Sequence, residues 1–364
     1  MAGMTQSSSS QFTGRGAGIN PPNRFETTRV EADYEQLAAD DELLADECKI
    51  PTEFLPDNSQ SVIVESNSPD LPFRFSINPY RGCEHGCAYC YARPYHELLG
   101  MNAGLDFETK ILVKHDAPEL LRREFNKPSW RPEWISISGV TDCYQPAERR
   151  FRLTRGILEV MLEARNPVGI ITKNALVTRD LDLLRPLAER RLVHVGMSVT
   201  TLDAELARTR EPRTSSPTAK LRAIRELSAA GVPVRVMVSP VIPGLTDHEL
   251  PEILQAAKDA GARAASFIML RLPLAVAPIF TDWLRTHRPD SVAKVEALIR
   301  DMRDGKLNDA QFGRRMRGVG HYAEGVRQTF EVFVRKLGLD QPWPELDTTQ
   351  FVPPKLPGQQ LRLF

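Results

Sequence analysis

The sequence predicts an α/β fold, an open, partial (βα)6 barrel, on three observations. Six apolar, β-rich runs alternate with amphipathic helical patterns, an order that implies parallel strands joined by right-handed crossovers. Their repeat of roughly 33 residues suits βα units, and six such units are too few to close an eight-stranded barrel. A cysteine-rich loop directly follows the first run, at the strand end where barrels of this kind carry their sites.

The elements follow in order. Residues 1–25 are rich in Ser, Gly and Pro, which predicts a disordered tail. Residues 26–72 read as a loosely ordered lead-in with a short helix around Glu35–Glu47. The barrel spans 73–272. Its strands are expected at Phe73–Ile77, Trp134–Ile137, Val168–Thr172, Val193–Val199, Val232–Val238 and Ala265–Leu270. Its helices are expected at Ala117–Phe125, Leu153–Ala164, Asp182–Arg190, Ala219–Ala230 and Glu249–Ala260. Thr246-Asp247-His248-Glu249 fits a capping box at the start of the last of these. Residues 273–340 form a C-terminal helical extension, with helices near Ala277–Arg285, Val292–Arg303 and Tyr322–Leu337, that covers the open side or the mouth of the barrel. Residues 341–364 are Pro-rich and read as an extended tail.

Composition narrows the function classes. The chain of 364 residues balances 47 basic against 47 acidic side chains, which argues against nonspecific whole-surface binding to nucleic acid. The charge is uneven: Glu31–Glu47 is acidic, and Arg314, Arg315, Arg317, Arg327, Arg335 and Lys336 form a basic stretch. Solvated surface is the ordinary explanation of both. No apolar run approaches the ~18 residues of a membrane span, and Met1–Ser10 has no apolar signal core. These features predict a cytoplasmic protein with reduced thiols and no membrane partner.

The chemistry concentrates in Asn78–Ala92, where Cys83, Cys87 and Cys90 are spaced Cys-x3-Cys-x2-Cys. Three thiolates at this spacing suit three irons of a [4Fe–4S] cube and leave the fourth iron open. A structural zinc site, completed by His85 or His96, is the competing metal reading. Disulfides are disfavoured by the odd total of 5 cysteines. Gly82 and Gly86 permit tight loop geometry and close approach of the backbone to a cluster.

This loop resembles the cluster loop of the radical S-adenosylmethionine (radical SAM) superfamily. Ser76–Glu97, Ser138–Glu148, Ile171–Lys173 and Val238–Asp247 resemble one bacterial branch, related to spore photoproduct lyase and DNA-repair-photolyase-like, whose members are mostly uncharacterised. The resemblance runs from about Gly14 to about Leu337 and implies the same partial barrel. It implies a [4Fe–4S] cluster on Cys83, Cys87 and Cys90, with S-adenosylmethionine (SAM) chelating the open iron. It further implies reductive cleavage of SAM to a 5′-deoxyadenosyl radical and an electron donor such as flavodoxin or ferredoxin.

The same resemblance suggests roles around the site. Tyr89 would pack near the SAM adenine. Thr141 and Asp142, after strand 2, would contact the SAM amino group, and Lys173, closing strand 3, would pair with its carboxylate. Ser198, with Thr200 and Thr201, ends strand 4 and would bind ribose or carboxylate. Arg271 follows strand 6 and would meet adenosine or substrate. Glu211 and Arg213 look motif-like without an assignable role. Cys143, expected at the rim, is a candidate hydrogen-atom donor. The spore lyase uses a cysteine for this step, but strict alignment sets that donor at Val140. Cys48 reads as incidental. With only Cys48 and Cys143 left over, no auxiliary cluster is encoded, which counts against sulfur insertion.

Gln360-Leu361-x-Leu363-Phe364 resembles the pentapeptide by which bacterial proteins dock on the replication sliding clamp. With the lyase resemblance and the basic stretch, it favours damaged DNA as substrate. The alternatives are radical SAM modification of RNA, a peptide or a metabolite, and a noncatalytic Fe–S or zinc protein.

Overall fold

A computed structural model describes residues 14–25 and 50–356 of the chain. The acidic run and helix expected at Glu35–Glu47, Cys48 and the peptide Gln360–Phe364 lie outside the described residues.

Ten strands form two sheets: β1 (Glu53–Pro56), β2 (Ile63–Glu65), β3 (Phe75–Ile77), β4 (Tyr80–Arg81), β5 (Lys110–Val113), β6 (Ile135–Ile137), β7 (Val168–Thr172), β8 (Val193–Ser198), β9 (Val234–Val241) and β10 (Ala264–Met269). The larger sheet runs β10-β9-β8-β7-β6-β3-β2. Its six strands from β3 to β10 are all parallel, and β2 pairs antiparallel with β3. This is the expected partial (βα)6 barrel with one extra edge strand. A small sheet β1-β5-β4 stands beside the cysteine loop and was not foreseen; β4 is too short to carry a periodic signal.

The five helices expected between strands are found at Ala117–Phe125, Leu153–Ala164, Leu181–Glu189, Pro217–Ala229 and Leu250–Asp259, each within two residues of its expected bounds. Strand alternation explains their packing. Ile170, Val195, Val234 and Val236 share one buried core with Leu158, Leu184, Leu227 and Ile253 of the surrounding helices. The capping box does not form. Thr246 Oγ1 instead accepts from the Ile242 amide at 3.0 Å, closing the turn after β9. The Glu249 carboxylate turns to the end of β8, accepting from the Thr201 hydroxyl (2.7 Å) and the Leu202 amide (2.6 Å).

The N-terminal end of the barrel is filled by rings. His194 lies between Trp134 (5.2 Å between centroids) and Trp343 (5.1 Å), and the Arg235 guanidinium stacks on Trp343 at 4.4 Å. Gly169, opposite His194 in the ladder, has to lack a side chain: a Cβ there would lie 2.6 Å from His194 Nε2 and 2.8 Å from Trp134. Trp343 belongs to the segment expected as an extended tail. Residues 341–356 carry no regular element but bind along this end of the barrel: the Asp347 amide donates to the Arg191 carbonyl (3.0 Å), the Val352 amide to that of Ala164 (2.9 Å), and Phe351 packs on Phe125.

The C-terminal extension contains Val276–His287, Val292–Asp301 and Gly320–Lys336. Phe330 of the last helix packs on Phe267 of β10 at 4.6 Å. The Met269 amide donates to the Met316 carbonyl (2.9 Å), and Arg315 pairs with Asp70 beyond β2, so residues 312–318 span the seam the barrel leaves open.

One expectation is corrected. Residues 14–25 of the supposed disordered tail are bound to the protein, with Ala17 and Asn23 buried. Three of the six side chains of the basic stretch are paired locally: Arg314 with Asp304 and Asp309, Arg315 with Asp70, and Arg327 with Glu324 and Glu331.

Burial, with the charge of Arg235 adding to it, pushes His194 down to about 4. The unfolded chain therefore takes up this proton near pH 6.5 while the fold resists it, so stability falls as pH drops from about 6.5 to about 4. His96, lowered to about 4, titrates in the same window. His194→Phe is expected to flatten the slope of urea midpoint against pH between 6.5 and 4, by up to about 1.4 kcal/mol per pH unit, leaving the share of the other buried histidines.

Candidate active site

The cysteine loop leaves the barrel after β3 and is held from several sides. Gly82 (φ +81°) and Gly86 (φ +63°) take the left-handed conformation on either side of Cys83. The Cys83 amide donates to the Phe107 carbonyl at 2.8 Å, and the Ala88 amide to that of Arg210 at 3.0 Å. Gln145 braces the loop from the β6 side: its Nε2 donates to the Gly82 carbonyl (3.1 Å) and its Oε1 accepts from the Glu84 amide (2.8 Å).

Arg93, three residues past Cys90, is 0% exposed. Its guanidinium donates to the carbonyls of Cys87 (2.9 Å), Gly86 (3.1 Å), Ala103 and Gly104 (both 3.0 Å) and to the Glu108 carboxylate. Neither Arg93 nor Glu108 was singled out from the sequence. An arginine so close behind three cysteines was an available signal; Glu108 offered none, since only the fold brings it to the loop.

Cys83, Cys87 and Cys90 are free thiols, two buried and one partly so. Burial, with Asp142 next in effect, raises Cys83 well above the ordinary thiol range. Burial and Glu211 push Cys87 up to about 12, and burial raises Cys90. Metal charge is what would convert such thiols to thiolates. Among the described residues no three His, Cys, Asp or Glu side chains converge on one point as the ligands of a single ion would. A zinc site demands that convergence, whereas three thiolates around a larger cube do not. The zinc-completing candidates are engaged elsewhere: His85 faces Asp142 (3.4 Å) and Asn174 (3.3 Å), and His96 Nε2 meets the Lys110 carbonyl (3.1 Å).

The strand ends form a polar rim. Parallel register puts Ser198, Met237 and Ser266 at one level of the interior, with Lys173 following β7 beside them. Asp142 faces His85 and Glu211 pairs with Lys220 (2.7 Å), and the Lys173 ammonium makes no ion pair among the described residues. Burial works against the charge on Lys173, but Cys87, Glu211 and Asp142 outweigh it and raise its pKa. Ser198 is buried at the same level.

The other candidates are committed to the scaffold. The Thr141 hydroxyl donates to the Tyr80 carbonyl (2.8 Å). Asp142 accepts from the Thr172 hydroxyl (2.7 Å) and the Lys173 and Tyr144 amides (2.7 and 2.9 Å), tying the ends of β6 and β7 together. Tyr89 donates to Glu211 beneath the Arg210 guanidinium, which lies 5.6 Å from its ring. Glu211, unassigned from sequence, proves to be a buried hub that also accepts from Thr200 and Lys220. Burial alone would raise its carboxyl, but Lys220, Arg210 and Lys173 hold it well below the usual carboxylate range. Arg213 donates to Glu84 (2.8 Å) within the cysteine loop. Thr201 is taken by Glu249.

Cys143 is not at the rim. It is 0% exposed and packs in the main core, its amide donating to Ser138 Oγ (2.8 Å). The turn after Ser138 points the thiol inward, away from the mouth. Val140, by contrast, packs on the apolar cluster of Cys83, Ala92 and Phe107 in the cysteine loop's surroundings. The mouth itself carries Tyr91 and Tyr95, 42% and 53% exposed, with the Arg271 guanidinium 5.5 Å from the Tyr91 ring.

Residues 77–257 match the Radical SAM superfamily. An uncharacterised protein of Mycobacterium tuberculosis is 40% identical over 236 residues, spanning 64% of this chain and 69% of that protein. An uncharacterised protein of Methanocaldococcus jannaschii is 32% identical over 176 residues, 48% of this chain and 63% of that protein. Spore photoproduct lyase complexed with dinucleoside spore photoproduct superposes with a TM-score of 0.55 at 17% identity, covering 78% of this chain and 79% of that chain, which shows a shared fold.

Glu211→Ala leaves Lys220 buried without a carboxylate and is expected to cost about 3–5 kcal/mol in urea unfolding. Adding Lys220→Met removes the stranded charge and recovers part of that loss. Equal stability of the single and double variants would contradict the hub.

Proposed function

We propose that this chain, which belongs to the radical SAM superfamily, binds its [4Fe–4S] cluster through Cys83, Cys87 and Cys90 and holds SAM against the rim of the barrel. The observation that carries the reading is the set of three free thiols on one braced loop, with Lys173, which has no ion-pair partner among the described residues, close enough to feel the charge of Cys87 and Cys90. When bound, the cluster and SAM supply reductive cleavage of the sulfonium to methionine and a 5′-deoxyadenosyl radical, which takes a hydrogen atom from substrate.

The protein's own part is placement and exclusion of water. Lys173 offers the cation for the SAM carboxylate, and Ser198 a hydroxyl at the same level. Asp142 serves these groups indirectly: by accepting the Lys173 amide it fixes the backbone from which the lysine projects. Thr141 likewise holds the loop through Tyr80. Tyr89, clamped between Glu211 and Arg210, presents a rigid apolar wall for adenine. Helix Val276–His287 packs Phe280 and Trp283 into the cluster of apolar side chains that includes Cys87 and Tyr89, closing this side to water.

For the substrate we propose damaged DNA. Its support is the fold shared with a lyase solved with a dinucleoside lesion, together with exposed rings and a guanidinium at the mouth, where an unstacked base can lie. The basic stretch takes no part in this reading.

Anaerobic reconstitution is expected to give a brown protein that forms 5′-deoxyadenosine from SAM under dithionite. Cys83→Ala, Cys87→Ala and Cys90→Ala each abolish the colour. Lys173→Ala keeps it but weakens SAM binding roughly tenfold or more, the loss of one charge-assisted contact. A colourless zinc protein, or a brown one that leaves SAM intact, would refute the reading. Stimulation of turnover by ultraviolet-irradiated DNA over intact DNA tests the substrate.

A further inference from the structure

The segment 14–25 stands out because nothing in its composition asks it to be ordered. It has no regular secondary structure, yet it is bound at the back of the cysteine loop. The amides of Arg15, Gly16 and Ala17 all donate to the Glu108 carboxylate, Gly16 at 3.2 Å and Ala17 at 2.9 Å. Glu108 in turn accepts from Arg93, whose other donors hold the carbonyls of Gly86 and Cys87. Gly16 lies so close to this loop that a Cβ built on it would overlap the Gly86 carbonyl oxygen. Further along, Asn20 accepts from the Leu105 amide (3.1 Å), and Asn23 donates to the carbonyls of Glu97 and Met101 (both 3.0 Å). Arg15 reaches across to Thr52 and lies 4.0 Å from Glu84, the residue next to Cys83.

We infer that residues 14–25 form the outer wall of the cluster site, a strap locked by Glu108 that shields the cysteine loop and keeps it in its metal-binding shape. The inference rests on the functional reading above, since it assigns the segment a role toward the cluster those cysteines would hold. The physical argument is one of sharing. Glu108 accepts from all three strap amides and is also the one carboxylate paired with the arginine that fixes the loop carbonyls. Lifting the strap would strip partners from a fully buried carboxylate and loosen Arg93 with it. Glu108 is thus a positioning residue, acting on the cluster through the backbone of Gly86 and Cys87. Oxygen and water reach an iron–sulfur centre more readily when its protein wall opens, and groups one contact removed from the ligands commonly change metal retention by 10–100-fold.

Two measurements on the full-length chain decide this. The first needs no cluster. In hydrogen exchange on the metal-free protein, the amides of Gly16 and Ala17 are expected to be protected although they belong to no helix or strand, and Glu108→Ala is expected to release them. Exchange at the unprotected rate in the wild type would overturn the proposal. The second follows air bleaching of the reconstituted cluster. Gly16→Val, which cannot seat against Gly86, should load iron anaerobically but lose colour roughly tenfold faster than wild type. Gly325→Ala, a methyl added where nothing lies within 4 Å, should behave as wild type. Equal bleaching of Gly16→Val and wild type sinks the strap while leaving the functional reading intact. A wild-type chain that takes up no iron sinks that reading, and the proposal with it.

Discussion

The ion pair between Arg93 and Glu108 governs the geometry of the site. Both side chains are wholly buried, where an unmatched charge would be prohibitive and even a matched one returns little net stability. The pair is tolerable because its hydrogen-bonding capacity is used. The guanidinium is spread over carbonyls from Gly86, Cys87, Ala103 and Gly104, and the carboxylate over strap amides. Such an arrangement specifies more than it stabilises. Alternative conformations of the loop would leave a buried charge without partners, so the loop has one shape available. A second buried carboxylate, Glu211, repeats the device on the opposite side of the cysteines, joining Tyr89, Thr200 and Lys220.

The barrel separates its two ends by chemistry. At the N-terminal end, Trp134, His194 and Trp343 fill the interior with rings, and residues 341–356 run across it. At the C-terminal end, Lys173 and Ser198 face an interior level that also holds Ser266. The stabilising work is thus concentrated where no ligand enters, and the rim is free to hold polar groups that contribute little to folding. This division is the usual one for parallel barrels, achieved here with six strands and a seam closed by residues 312–318.

What could be read from sequence and what could not divide along physical lines. Strands such as Val168–Thr172 and helices such as Leu153–Ala164 follow from local periodicity. The three cysteines announce themselves by spacing. Glu108 was silent, and Glu211 motif-like without an assignable role, because their meaning lies in partners that only the fold assembles, the strap amides for the one and Tyr89, Thr200 and Lys220 for the other. Thr246 and Glu249 fit a capping motif, yet tertiary partners at Ile242 and Thr201 outcompeted the helix terminus for them. Cys143 was misplaced because it lies beyond the end of β6, in a turn region where strand alternation no longer tells which way a side chain faces, and it is buried in the main core. Residues 14–25 look disordered by composition because Gly and Asn are poor core formers. They are ordered because their backbone amides, which composition does not register, meet a buried carboxylate.

The seam has a consequence beyond closing the barrel. An incomplete barrel carries a liability a closed one lacks, since its last strand can recruit a neighbour's backbone and seed fibrous association. Here the outer flank of β10 is occupied at both ends: the Ala265 amide donates to the Leu339 carbonyl, Ala264 bridges Asp340, and the Met269 amide is taken by Met316. The opposite flank ends in the three-residue β2, with Glu65 held by Arg74. Protection of the sheet edge against pairing with another chain is therefore written into the extension after the last strand, independently of any chemistry at the mouth.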